Sequence, residues 1–157
     1  LAARTNPEKR TGTLAEALVG ADVFIGVSRP GLVTGAMVET MAKDPVILAM
    51  ANPVPEIMPD EALAHGAAVV GTGRSDFPNQ INNVLVFPGL FKSALSCGAV
   101  QITEGMKYAA AQALADMVAP EDLSPTCILP SPLNRAAADA VANAVAAEAR
   151  RTGHARF

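Results

Sequence analysis

The chain has 157 residues, a formal net charge of −3 and a hydrophobic fraction of 50%. This length corresponds to one domain, and the composition excludes an intrinsically disordered chain. The acidic balance argues against a nucleic-acid surface, and no apolar run reaches about 18 residues without a polar break, so we expect no membrane span. Two cysteines, Cys97 and Cys127, are too few for a disulfide framework, which favours a reducing, cytoplasmic setting.

The first half of the chain alternates short helices with short apolar runs. Thr13, with Glu16 three residues later, is typical of a capping box and predicts a helix over 13–19. Thr34 predicts a second helix through residue 42, and residues 59–64 predict a third. The apolar runs at 22–27, 45–50 and 67–70 predict three strands, the first two of them buried on both faces.

The second half is predicted to be helical. A long polar loop over 71–83 is followed by helices over about 88–97, 102–118 and 134–151, and residues 119–132 form a proline-rich connector. Strands that alternate with helices indicate parallel βα units, so the fold class is α/β. We therefore predict a partial Rossmann-like domain over 1–132, followed by a C-terminal helix and tail over 133–157.

The glycine fingerprint of a dinucleotide-binding domain is missing from this sequence. Gly71-Thr72-Gly73 is followed by Arg74, Ser75 and Asp76, so the third glycine of GxGxxG is absent. Three parallel strands are also fewer than the usual five or so. We expect the chain to form the second half of a larger doubly wound sheet, whose first half comes from a missing N-terminal region or from another subunit.

Ligands of open α/β sheets bind beyond the carboxyl ends of the strands, and three such ends can be identified. Residues 26–31 (GVSRPG) allow a flat ring or a ribose to approach, but their composition alone favours an ordinary turn. Asn52 lies between a strand and Pro53 and either binds a carboxylate or hydroxyl or satisfies its own turn. Residues 76–83, with three asparagines, either hold their own loop together or face a polar ligand.

Four longer stretches resemble the C-terminal half of bacterial-type malic enzymes. They are GADVFIGVS at 20–28, ANPVPEIMP at 51–59, TGRSDFPNQINN at 72–83 and VFPGLF at 86–91. The connector segment ILPSP at 128–132 is also similar. This resemblance covers most of the chain and implies an oxidoreductase that uses NAD or NADP to oxidise malate and then decarboxylates the bound oxaloacetate to pyruvate with Mg²⁺ or Mn²⁺.

The resemblance also implies roles for individual residues. Asn52 corresponds to an asparagine that contacts malate beside the nicotinamide, and Asn83, together with Asn82, corresponds to the second substrate amide. Val27 and Ser28 correspond to a wall along the dinucleotide. The family's tyrosine and lysine acid–base pair and its acidic metal ligands lie upstream of the matching region, so we expect this chain alone to be inactive and the metal to be bound mainly by residues outside it.

Other partners follow from the same considerations. We expect malate and pyruvate as ligands, the N-terminal catalytic region of the same enzyme as a partner, and a homo-oligomer. The alternative is a non-catalytic Rossmann-like fragment that acts as an oligomerisation or interaction module. In that case the alanine-rich helices 103–118 and 134–151 would pack against a partner.

Overall fold

The computed structural model describes residues 4–157. The chain divides into two compact units, and the boundary between them in the sequence lies between Pro78 and Asn79. The first unit contains α1 (Leu14–Leu18), β1 (Val23–Gly26), α2 (Gly35–Glu39), β2 (Val46–Ala49), α3 (Pro59–Ala64) and β3 (Val69–Thr72). The second contains a 3₁₀ turn (Asn83–Leu85), α4 (Phe87–Ser96), α5 (Glu104–Ala115) and α6 (Ala136–Arg151). The predicted domain boundary at residue 132 stays a prediction.

The first unit confirms the predicted α/β class. Its strands form one parallel sheet in the order β1-β2-β3, with Val23 opposite Val46 and Val46 opposite Val69. One face of this sheet packs on the helices and contributes its alternate side chains to the core, namely Phe24, Ile47, Ala49 and Val70. The capping box of Thr13 and Glu16 is present, and Thr34 caps α2 as predicted.

The prediction that β1 is buried on both faces is wrong. Phe24 and Gly26 are buried, whereas Val23 and Ile25 are 48% and 63% exposed. Consecutive right-handed crossovers in one direction place their helices on the same face of a sheet, so α2 and α3 cover one face only. The opposite, apolar face has no cover among the elements of the first unit.

Several element ends differ from prediction, and two of them have a local explanation. Strand β3 begins at Val69 rather than residue 67, because the N–H of Ala67 donates to the Ala62 carbonyl and so closes the end of α3. Helix α2 ends at Glu39 rather than residue 42, and the hydroxyl of Thr40 donates to the Met37 carbonyl at 2.8 Å.

The second unit is a packed group of three helices. Helix α6 lies against both α4 and α5, and the buried faces of the three helices form one apolar cluster that includes Leu90, Met106, Leu114, Val141 and Val145. The packed faces of α5 and α6 thus combine alanines with larger apolar residues, whereas Ala111 and Ala115 of α5 are exposed. None of the helices within residues 4–157 is long and apolar enough to cross a membrane.

Candidate functional site

The carboxyl ends of β1 and β2 are joined by one buried carboxylate. Glu56 is fully buried, and its Oε1 accepts hydrogen bonds from the Ser28 N–H at 2.7 Å and from the Ser28 hydroxyl at 3.1 Å. Its Oε2 accepts from the Ala51 N–H at 3.0 Å. Ser28 follows β1 and Ala51 follows β2, so the Glu56 carboxylate links two neighbouring strand ends.

The ionisation of Glu56 follows from these contacts. Burial alone would raise the pKa of the carboxyl group, but the N–H donors of Ser28 and Ala51 together with the Ser28 hydroxyl outweigh it and lower the pKa below the ordinary value of 4.5. Glu56 is therefore an anion held by uncharged donors. No ion pair to it is present among residues 4–157.

The predicted cofactor and substrate residues of the first unit lie around this carboxylate. Val27 is 78% exposed. Ser28 is also exposed, although its N–H donates to Glu56. Asn52 directly follows Ala51, is exposed, precedes a cis peptide bond to Pro53, and has no side-chain hydrogen-bond partner within the described residues. An amide without an internal partner, on a strand end fixed by its neighbour, is available for an external ligand.

The third strand end carries a charged pair. Arg74, two residues after β3, donates to both carboxylate oxygens of Asp76, at 2.9 and 2.6 Å, and its guanidinium lies 5.6 Å from the centre of the Phe77 ring. The hydrogen bond from Arg74 lowers the pKa of Asp76. This pairing assigns Asp76 to its own loop rather than to a ligand.

The asparagines of the predicted polar cluster do three different things. Asn79 is buried and joins the second unit's connector, donating to the Pro125 carbonyl at 2.8 Å and accepting from the Ile128 N–H at 3.0 Å. Asn82 caps the 3₁₀ turn by accepting from the Val84 N–H at 3.0 Å. Asn83 is exposed, and its side chain has no hydrogen-bond partner in the described part of the chain. Asn83 is therefore the amide of this loop that is available to a ligand.

Sequence reasoning missed Glu56, which lies in a proline-rich loop and carries no recognisable metal or catalytic spacing. Gly26 is the signal that could have indicated it, because a glycine inside a strand often marks a close approach. A Cβ built at Gly26 would lie 2.5–2.8 Å from the carboxyl atoms of Glu56. Strand β1 thus lacks a side chain where the carboxylate needs space.

The second unit contains a cavity with an apolar lining. A cavity of about 520 Å³ in the second unit has an apolar lining with one charged residue, Lys107. Lys107 forms an ion pair with Glu104. None of the predicted site residues lines this cavity.

Comparisons with known proteins identify the family. The model of the malic enzyme NAD-binding domain matches residues 3–150. The chain belongs to the malic enzyme family. It is 55% identical over 153 residues to the bifunctional malic/malolactic enzyme of Bacillus subtilis, covering 98% of this chain and 37% of that protein. It is 51% identical to the NAD-dependent malic enzyme of Geobacillus stearothermophilus, covering 97% of this chain and 32% of the relative.

Solved structures of the malic enzyme family have the same fold. The malic enzyme from Pyrococcus horikoshii superimposes with a TM-score of 0.93 at 48% identity, over 98% of this chain and 36% of that one.

An NADP-dependent malic enzyme of Rhizobium meliloti is 47% identical over 92% of the chain, which is 21% of its own length. The chain therefore spans about a third or less of these malic enzymes. The structural similarity to the Pyrococcus horikoshii enzyme confirms the Rossmann-like class expected from the sequence.

Proposed function

We propose that this chain is the C-terminal part of the NAD(P)-binding domain of a malic enzyme. The complete protein would oxidise malate with NAD or NADP and decarboxylate the product to pyruvate and CO₂. The observation that carries this proposal is Asn52, an exposed amide without a side-chain partner among residues 4–157, at a strand end that Glu56 fixes. Family membership supplies the substrate class, and the geometry supplies a residue able to hold it.

The residues of the first unit fit a nicotinamide and a small acid. Exposed Val27 offers an apolar surface to a flat ring. The Ser28 hydroxyl donates its hydrogen bond to Glu56 and retains lone pairs that can accept from a ligand N–H or O–H. The Asn52 amide can donate to a malate carboxylate or hydroxyl. A bound NAD or NADP would supply the acceptor for the hydride that leaves C2 of malate.

Asn82 and Asn83 are proposed as the second group of substrate amides. Asn83 has an exposed side chain with no hydrogen-bond partner in the described part of the chain, whereas the oxygen of Asn82 is already used by the 3₁₀ turn. Neutral amides suit a dicarboxylate because they orient it without adding charge, and they leave proton transfer to other groups.

The divalent metal is proposed to be held mainly by residues outside this chain. No group of three or more His, Cys, Asp and Glu residues within 4–157 is arranged to hold a metal ion. The donor set described here therefore does not fit Mg²⁺ or Mn²⁺ by itself, and this chain's residues are assigned no step that passes through the metal.

The remaining partners are proposals of the same kind. An N-terminal region of the same enzyme would supply the acid–base and metal-binding groups, and the assembly would be a homo-oligomer in the cytoplasm. The free thiols of Cys97 and Cys127 are compatible with a reducing compartment. In the alternative of an interaction module, only the outer faces of α5 and α6 would be available to a partner, because their inner faces pack within the unit.

The test of the proposed function is Asn52→Ala in the full-length protein. Loss of one preorganised donor typically costs about 2.7–4 kcal/mol of transition-state stabilisation, so we expect kcat/KM for malate to fall by about 10²–10³. Formation of reduced nicotinamide measures this change. The matched control is Asn143→Ala, which makes the same substitution on the exposed side of α6. Wild-type kcat/KM in the Asn52 variant would contradict the assignment.

A further inference from the structure

The environment of Glu56 is unusual for a buried carboxylate. Burying a charge is costly unless it is fully hydrogen-bonded, and this one has three donors on two oxygens: the Ser28 N–H, the Ser28 hydroxyl and the Ala51 N–H. Strand β1 accommodates it with Gly26, whose missing Cβ leaves the space that the carboxyl group occupies. The backbone after both strands, the Ser28 hydroxyl and the side-chain-free Gly26 of β1 are thus arranged around this one group.

The loops that follow β1 and β2 are also joined by hydrogen bonds that do not involve the Glu56 carboxylate. The backbone of the 52–57 loop already pairs with the loop after β1, since the Val33 N–H donates to the Glu56 carbonyl at 3.0 Å and the Gly31 N–H donates to the Pro55 carbonyl at 3.3 Å. The side chain of Glu56 adds contacts at two other places, the backbone of Ser28 and that of Ala51. These positions are a proposed cofactor residue and the immediate neighbour of the proposed substrate amide.

We infer that Glu56 is a positioning residue whose carboxylate sets the spacing between the Val27–Ser28 wall and the Asn52 amide. This inference rests on the proposed function, in which the wall contacts the nicotinamide and the amide contacts malate. Hydride transfer needs the donor and acceptor carbons in near-attack geometry, and a misplacement of about 1 Å can reduce the rate by about 10². Glu56 acts on the reaction only through Ser28 and Asn52.

The test is Glu56→Gln in the full-length protein. A glutamine has nearly the same shape, but its NH₂ group must face either Ser28 N–H or Ala51 N–H, donor against donor. We expect kcat to fall by about tenfold to a hundredfold, KM for both malate and the dinucleotide to rise, and the kinetic isotope effect with malate deuterated at C2 to increase because hydride transfer becomes slower than the other steps. A merely structural role would lower the active fraction, and hence kcat, without changing KM or the isotope effect.

The matched control is Glu61→Gln. The Oε1 of Glu61 accepts from the Gly35 N–H at 2.8 Å, so it is a second carboxylate of the same unit that bonds a backbone amide, but at the start of α2. Its kinetic constants and isotope effect should equal those of the wild type. If Glu56→Gln does not fold, Glu56→Asp keeps the charge while its shorter side chain cannot reach both strand ends, and the same kinetic changes are expected.

Amide hydrogen exchange separates this inference from the proposed function. Exchange at Ser28 and Ala51 should accelerate in Glu56→Gln and stay unchanged in Glu61→Gln, whether or not the protein oxidises malate. A wild-type protein inactive with malate would overturn the proposed function but leave this exchange test in force. Unchanged exchange at both amides, or a folded Glu56→Gln variant with wild-type KM and isotope effect, would overturn the positioning role.

Discussion

Asn82 and Asn83 are adjacent in the sequence, yet their amides are in different chemical situations. The Asn82 oxygen satisfies the Val84 N–H at the start of the 3₁₀ turn, while the Asn83 side chain is exposed and has no partner in the part of the chain that the structure describes. One of the two proposed substrate residues is thus committed to the fold. Substitutions should separate the two roles.

We expect Asn83→Ala in the full-length protein to lower kcat/KM for malate by about 10² or more, the typical loss for one oriented donor, with little change in stability. Asn82→Ala should lower kcat/KM less, because the Asn82 oxygen is already used by the turn. It should also lower the free energy of unfolding by about 1 kcal/mol, because a capping bond is lost. Denaturant titration and malate kinetics on both variants measure these effects. The reverse pattern, with Asn82 controlling kcat/KM and Asn83 stability, would be inconsistent with this division.

Residue types alone could identify the polar positions but not their partners. The sequence predicts that residues 76–83 either hold their loop together or bind a ligand. The structure shows internal hydrogen bonds for Asn79 and Asn82, and ligand binding by Asn83 stays a prediction. Asn79 is bonded to atoms of Pro125 and Ile128, which lie more than 40 positions away in the chain. A contact of that sequence separation depends on tertiary packing, which is why spacing within the motif could not assign it.

Among the helices, close packing at one glycine has a clear energetic consequence. A Cβ at Gly89 in α4 would lie 2.4 Å from the Ala138 carbonyl oxygen of α6 and 2.8 Å from the Cβ of Val141. Backbone cannot move aside as a flexible side chain can. The approach of α4 to α6 therefore depends on the absence of a side chain at this position.

We expect Gly89→Ala to destabilise the protein by about 1–3 kcal/mol, the usual cost of overpacking. Gly105→Ala in α5 is the matched control, because its Cβ would meet only the carboxylate tip of Glu148, at 2.7 Å, which can rotate away. Alanine also favours helix over glycine by about 1 kcal/mol, so this control should be neutral or stabilising. Thermal unfolding of both variants provides the comparison, and equal destabilisation would contradict the packing argument.

Element ends were predictable where a local signal exists. Thr13 and Thr34 cap their helices as the sequence indicates, since a cap depends on residues three positions apart. The sequence predicts the start of β3 two residues too early, because the alanines that follow α3 are as apolar as strand residues. Burial of β1 on both faces was also expected, but which face of a strand is covered depends on elements far away in the chain.

At the scale of the whole molecule, the sheet exposes apolar side chains to solvent on the face opposite its helices. In register, Val23, Val46 and Val69 form one row across this face, and Ile25 and Leu48 lie in the next. Val23 and Ile25 are exposed, whereas parallel sheets are normally covered on both faces. Because the related malic enzymes are about three times as long as this chain, or longer, we expect another part of the protein to cover this row.

Cysteine labelling of the full-length protein tests that expectation. Ile25→Cys should react with a maleimide many times more slowly than Leu63→Cys, although Ile25 is 63% exposed and Leu63 51% exposed in this chain. Leu63 is the matched control because it is an equally apolar residue on α3, a helix that covers the opposite face. Cys127→Ser removes the partly exposed thiol from the background, while Cys97 is buried. Equal labelling rates at the two positions would mean that the sheet face stays open in the complete protein, and the expectation of a covering segment would then be wrong.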